Sequence, residues 1–256
     1  MRVFLTGASS GIGEALARHY AAEGATLGLA ARRQRRLLEL VAELPGTPDK
    51  YAAYPLDVTD AAALQAAAAD YMMRFGCPDI VIANAGVSVG TLTEDAEDID
   101  AFRRVMGVNV IGMMQTFQPF LAAMQKRGGG RLVGIASVAG IRGIPGAGAY
   151  SASKAAAITY LEALRVELRD SGIKVITIAP GYIATPMTAH NPYPMPFILP
   201  ADIAAARFAR AIARNSSYCV IPWQMGIVAK LLRLLPNPLF DAIFSRAGRK
   251  PRGLDL

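Results

Sequence analysis

Cysteine, histidine and tryptophan are scarce in this chain, at two, two and one among 256 residues. Cys77 and Cys219 stand alone, without metal spacing or further thiols. That excludes a disulfide framework, reads both as structural thiols and predicts a reducing, cytoplasmic setting. His19 and His190 form no cluster, and no metal is expected. Long apolar runs are missing too: no stretch reaches the roughly eighteen uncharged, consistently apolar residues of a membrane-spanning helix. A first strand that begins at Arg2 leaves no place for a signal peptide. No internal repeat and no second domain are visible.

Charge is sparse, at 18% of residues against 53% hydrophobic, and this length suits one α/β domain with a large core. The net charge of +7 is unevenly placed. Through Asp202 the two signs balance. From Ile203 onward, Arg207, Arg210, Arg214, Lys230, Arg233, Arg246, Arg249, Lys250 and Arg252 are opposed only by Asp241 and Asp255. Such a cationic tail suits a membrane or nucleic-acid surface. Nucleic acid is disfavoured, because the cations lack a reader motif and interleaved aromatics.

Short apolar strands alternate with helical stretches, which predicts a parallel, doubly wound sheet. Helices are expected at about residues 95 to 105, 109 to 126 and 149 to 171. For the first of these, Thr93 reads as the N-cap, with Glu94, Asp95, Glu97 and Asp98 favouring the helix dipole. These acids are helix initiation, not a metal cluster.

Two local patterns carry chemistry. The run Thr6-Gly7-Ala8-Ser9-Ser10-Gly11-Ile12-Gly13 joins a strand to a helix. Its glycines let the backbone approach a pyrophosphate, and the helix N-terminus offers unpaired N–H groups. Further on, Ser137 ends an apolar strand, and Tyr150 and Lys154 lie four apart on one helix face. A hydroxyl, a phenol and an ammonium can thus converge at the carboxyl edge of the sheet, where open α/β sheets hold their ligands.

In this order, TGASSGIG, Asn84-Ala85-Gly86, Asn109, Ser137, YSASK and Pro180-Gly181 resemble the short-chain dehydrogenase/reductase family over roughly residues 1 to 222. The resemblance implies a single Rossmann-type sheet of seven strands in the order 3-2-1-4-5-6-7. It also implies a nicotinamide cofactor and hydride transfer between a secondary alcohol and a ketone or aldehyde. Tyr150 is then the acid/base, Ser137 the donor to the substrate oxygen, and Asn109 the holder of a relay water behind Lys154. A free phenol is a poor base at neutral pH. An ammonium about 4 Å away is expected to lower its pKa by some three units.

Gly7, Ser9, Ser10, Gly11, Ile12 and Gly13 are expected to cradle the cofactor. By resemblance, Asp57 and Val58 flank the adenine, and Asn84, Ala85 and Gly86 line the cofactor. Pro180, Gly181, Ile183 and Thr185 hold the carboxamide, Lys154 bonds the ribose, and Tyr150 also counts among the cofactor contacts. Asp57 has a second reading as a helix cap before Thr59-Asp60. NADP(H) is favoured over NAD(H), because Ala31 stands where an acid selects NAD, and Arg32 and Arg33 follow it. Ser10 weighs slightly against this, since some NADP-dependent relatives carry a basic residue inside the loop.

Residues 187 to 200 form a proline-stiffened segment, and Tyr193, Met195, Phe197 and Ile198 offer it an apolar inner face. It reads as a lid over a hydrophobic substrate, or else as a packed connector. Residues 1 to 222 form the catalytic domain, and residues 223 to 256 an apolar and basic helical extension. That extension closes the substrate pocket, joins a partner subunit in a homodimer or homotetramer, or lies on an anionic membrane. Packing is the favoured outcome.

Overall fold

A computed structural model describes residues 1–245 and 248–253; Arg246 and Asp255, counted in the tail's charge, lie outside them. Strand β1 (Arg2–Thr6) leads into α1 (Gly11–Ala22), then β2 (Thr26–Ala31), α2 (Gln34–Glu43), β3 (Tyr51–Pro55) and α3 (Ala61–Phe75). Next come β4 (Ile80–Ala83), α4 (Asp98–Met106), α5 (Gly112–Arg127), β5 (Gly130–Ile135), α6 (Gly148–Glu167) and β6 (Ile173–Pro180). A two-residue pair, β7 (Ile183–Ala184) with β8 (Leu199–Pro200), brackets the expected lid. The chain ends in α7 (Ala201–Ala213), β9 (Tyr218–Ile221), α8 (Trp223–Leu234) and α9 (Asn237–Phe244).

The seven-stranded parallel sheet has the order β3-β2-β1-β4-β5-β6-β9, as expected. The β7–β8 pair was not foreseen. Strand alternation divides the core. Val3 and Leu5 pack with Leu16, Leu37 and Phe208 on one face, while Phe4 packs with Tyr71, Phe117 and Phe120 on the other. The Phe4 and Phe120 rings lie 4.8 Å apart, and Phe4 meets Tyr71 edge-on at 5.5 Å. With helices covering both faces, the carboxyl edge is where an open sheet of this kind takes its ligand.

Three expectations need correction. Helix α4 starts at Asp98, not after Thr93, and Glu97 at its N-cap makes no side-chain hydrogen bond. The Asp98 carboxylate is engaged elsewhere, accepting from the Leu92 amide at 2.7 Å and from Arg252 Nε at 2.8 Å. Asp60, not Asp57, caps α3 by accepting from the Ala63 amide at 2.9 Å. Lastly, α4 and α5 are one helical run joined by a π-turn at Gly107–Ile111, which contains Asn109. Such turns insert an extra residue and re-aim side chains.

Helix α8 buries Met225 and Ala229. Its opposite face carries Trp223, Ile227, Leu231 and Leu234, exposed by 65%, 51%, 60% and 79%. Leu232 and Leu235 are half-buried, so only part of the leucine set packs inward. Arg142 ties the end of α8 to the body. Its guanidinium donates to the Leu232 and Leu235 carbonyls at 2.5 and 2.6 Å and lies 3.9 Å from the Phe240 ring centre. Among the described residues, no helix is long and apolar enough to cross a membrane.

Candidate active site

One cleft opens along the carboxyl edge of the sheet, and nearly every predicted site residue lines it. Gly7, Ser9, Ser10, Gly11, Ile12, Arg32, Arg33, Asp57, Val58 and the 84–86 turn form one end. Ser137, Tyr150, Lys154, Pro180, Gly181, Ile183 and Thr185 form the other. Gly13 and Asn109 lie behind the wall. Ala31, Leu56, Val87, Val108, Ile135, Ala136, Pro186, Met187 and Thr188 also line the cleft without having been named as site residues. Most are apolar residues beside a motif. Ala31 and Met187 carried a signal, as the last residue of a strand and the first of the expected lid.

The glycine loop is braced from below. Asn84 Nδ2 donates to the carbonyls of Thr6 and Gly7 at 3.1 and 3.2 Å, and Thr6 Oγ1 accepts from the Asn84 and Ala85 amides. Ser10, at the N-cap of α1, is extended and makes no side-chain cap, which leaves the first helical N–H groups to a ligand. A Cβ on Gly13 would collide with the Gly7 carbonyl, so α1 approaches the loop as closely as glycine permits. An uncapped, positive helix end beside a bare backbone fits the pyrophosphate of a dinucleotide.

The ribose end is basic. Ala31 closes β2, and Arg33 folds back onto the loop, with Nη2 3.2 Å from the Ser9 carbonyl and 3.1 Å from Ser9 Oγ. Arg33 thus brings to the loop the charge that Ser10 does not supply. Arg32 Nη1 stands 4.0 Å from Asp57, whose main partner is Arg104 at 2.6 Å. Burial opposes ionisation of Asp57, but hydrogen bonds from the Thr59 amide and hydroxyl, together with Arg104, keep its carboxyl below the usual range.

At the reacting end, Ser137 Oγ accepts from the Ala139 amide at 3.1 Å, starting a short 3-10 turn over Val138–Gly140. A Cβ on Gly140 would lie 2.6 Å from the Lys154 carbonyl carbon, so this turn presses on α6 and holds Ser137 against Tyr150. Lys154 is 4% exposed, and its Nζ donates to the Ile135 carbonyl at 2.8 Å. Burial lowers its pKa to about 8. Burial raises that of Tyr150, and the Ser137 hydroxyl offsets this only in part.

The expected ammonium-driven lowering of the phenol is therefore not what the structure has. Lys154 Nζ lies 5.8 Å from the Tyr150 ring centre and spends its hydrogen bond on Ile135. Asn109 is also committed. Its Oδ1 accepts from the Val87 amide at 2.8 Å, and its Nδ2 donates to the Val87 carbonyl and Ser153 Oγ. Ser153 Oγ donates in turn to the Tyr150 carbonyl at 2.8 Å. The second lone pair of Oδ1 and the main chain are what Asn109 has left for a water.

A family model described as short chain dehydrogenase matches residues 1–194. The chain belongs to the short-chain dehydrogenase family. It is 38% identical over 242 residues to an uncharacterized oxidoreductase of Myxococcus xanthus, covering 94% of this chain and 95% of the relative. Among solved structures, it is similar to a short chain dehydrogenase/reductase from Burkholderia phymatum in complex with NAD. There the TM-score is 0.82 and the identity 26%, over 99% of this chain and 98% of that one. It is also similar to an alcohol dehydrogenase from the archaeon Thermococcus sibiricus complexed with 5-hydroxy-NADP. That match has a TM-score of 0.75 and 28% identity, over 86% of this chain and 95% of that one. This short-chain dehydrogenase is thus an oxidoreductase with the family's nicotinamide-binding fold.

The lid segment of this short-chain dehydrogenase departs from expectation. Tyr193 and Met195 turn inward as half-buried residues, but Phe197 and Ile198 are 50% and 41% exposed. Alternation along the extended chain ends at Phe197, whose φ of 57° swings the following residues outward. Met187, at the start of the segment, faces the cleft instead.

Proposed function

We propose that this protein is an NADP(H)-dependent oxidoreductase that interconverts a hydrophobic ketone or aldehyde with its alcohol. The convergence of Ser137, Tyr150 and Lys154 on one wall of the cleft carries this reading. When bound, the nicotinamide ring supplies or accepts the hydride. Ser137 donates a hydrogen bond to the substrate oxygen as charge develops there. Tyr150 gives its proton to that oxygen in reduction and takes it back in oxidation. Lys154 holds the cofactor ribose and keeps positive charge near the phenol. Asn109, through Val87 and Ser153, fixes the start of α6 and leaves its remaining acceptor to a relay water. Following NADPH absorbance over a panel of ketones, aldehydes and alcohols tests the reading; an inert protein with every pair sinks it.

Cofactor choice rests on Ala31, Arg32 and Arg33. Without an acid at the end of β2, a 2′-phosphate meets two guanidinium groups and no repulsion. A second reading, NAD(H), draws support from Asp57, which lies near Arg32 and takes up part of its charge. Arg32→Asp is expected to weaken NADPH selectively and leave NADH nearly as it was. Equal losses for the two cofactors, measured by fluorescence titration, would make Arg32 merely structural.

The protein is also read as a cytoplasmic homodimer or homotetramer, supported by the exposed apolar surface at Ile111, Met114 and Val166. The exposure of Trp223, Ile227, Leu231 and Leu234 turns our reading of the tail from the packing expected to peripheral contact with an anionic membrane. Lys230 and Arg233 edge the exposed stripe of α8, and each cation near such a surface contributes about 1 kcal/mol. The intact protein should sediment with phosphatidylglycerol vesicles and release as salt rises. Failure to bind, with Trp223 fluorescence reporting burial between subunits instead, would assign the stripe to self-association.

A further inference from the structure

After α9 the chain returns to the active site. The Gly90 amide donates to the Pro251 carbonyl at 2.8 Å, and a Cβ on Gly90 would collide with the Lys250 carbonyl. Arg252 pairs with Asp95 at 2.5 Å and with Asp98 at 2.8 Å. Gly248 lies beside the Tyr193 ring. These contacts hold Lys250 with its Nζ 5.7 Å from the Tyr150 ring centre. The Tyr150 ring therefore has two ammonium groups near it. Lys154 lines the cofactor cleft, whereas no residue of the 248–253 tail does. Lys250 is instead carried to the ring by the tail segment that packs beside Tyr193 of the expected lid.

We infer that Lys250 is a substrate-recognition residue and that the carbonyl substrate carries a carboxylate for it to bind. The inference rests on the oxidoreductase reading and narrows its substrate class to hydrophobic keto acids or hydroxy acids. Among the described residues, Lys250 has no ion-pair partner within 4 Å and no hydrogen bond, although burial lowers its pKa to about 8. A desolvated ammonium in that state gains most from an anion brought by a ligand. The neighbouring cation Arg252 is already neutralised by Asp95 and Asp98, so it anchors the tail and leaves Lys250 for the ligand. The Tyr193 ring and the Met187 side chain supply apolar surface for the rest of the molecule.

Levulinate, its longer straight-chain homologues and the methyl ester of each are the probes. Calorimetric titration into the full-length protein with NADP bound reads affinity without requiring turnover. The parent protein should bind the best-fitting acid at least about tenfold more tightly than its ester, as a charge-assisted contact warrants. Lys250→Met should remove that preference by weakening the acid alone, and Lys250→Arg should keep most of it. Equal affinity for acid and ester at every chain length overturns the inference. So do parallel losses of acid and ester in Lys250→Met matching those of Arg252→Ala, because Lys250 would then only clamp the tail. Selective acid binding without reduction of acid or ester by NADPH or NADH would refute the proposed carbonyl chemistry at this site and leave Lys250's role standing.

Discussion

Replacing Tyr150 with Phe lowers kcat by about 10²–10⁴-fold while NADPH affinity stays at its parental value. The substitution deletes one hydroxyl and keeps the ring, so the packing of α6 and the glycine loop at the far end of the cleft are undisturbed. Ser137 still donates to the substrate oxygen but has no acidic proton to give it. Steady-state rates and cofactor titration on the same preparation separate the two effects. Retention of more than about a tenth of the parental rate would remove Tyr150 from the proton transfer. Loss of NADPH binding in step with rate would make it a structural residue.

The pH dependence follows from Tyr150 and Lys154. Burial raises the Tyr150 pKa above its ordinary value of 10 and lowers that of Lys154 to about 8, so on raising pH the ammonium is lost first. Reduction needs a protonated phenol and a charged Lys154. Its kcat/KM should hold level from neutrality to about pH 8 and decline above it, with Tyr150 still protonated. Oxidation needs the phenolate, so its rate per productive complex should climb through that alkaline range. A reductive profile level to pH 10 would show that the Lys154 charge does not enter the rate.

How much of this was legible in the chain depended on the range of the interactions. The glycine loop, the 84–86 turn and the Tyr150–Lys154 pair are local patterns whose residue types are dictated by a close backbone approach or by helical spacing. They could be assigned from spacing and from family resemblance together, and the structure brings them to one cleft. What escaped was set by partners distant in sequence. Asp98 reads as one more first-turn acid, yet its carboxylate is held by Arg252, 154 positions away. Lys154 reads as a cation beside a phenol, yet the nearest acceptor is the Ile135 carbonyl on a neighbouring strand. The apolar face of the lid failed at Phe197, where a positive φ breaks an alternation that composition cannot reveal. The tail's leucines divided between packed and exposed positions, because a helix on a surface has two faces and hydrophobicity alone does not say which is covered.

Replacing Gly13 with Ala should cost both stability and cofactor affinity, and neither loss requires any change in the reacting groups. The added methyl points at the Gly7 carbonyl and lies 2.6 Å from Asn84 Nδ2. Both are backbone or backbone-bound groups, since Asn84 is hydrogen-bonded to the Thr6 and Gly7 carbonyls. The flexible end of a side chain could swing aside, but here α1 must move away from the loop or the loop must open. Overpacking of this kind costs about 1–3 kcal/mol. If it falls on the bound state, NADPH affinity drops by roughly tenfold to a hundredfold. Thermal melts with and without NADPH test this directly. The variant should melt below the parent and show little of the cofactor-induced rise. Gly143→Ala is the control, because a Cβ there meets nothing within 4 Å. It should match the parent in both respects. A Gly13→Ala protein with the full cofactor-induced rise would mean that the pyrophosphate does not sit between α1 and this loop, and the assignment of the cleft's basic end would fall with it.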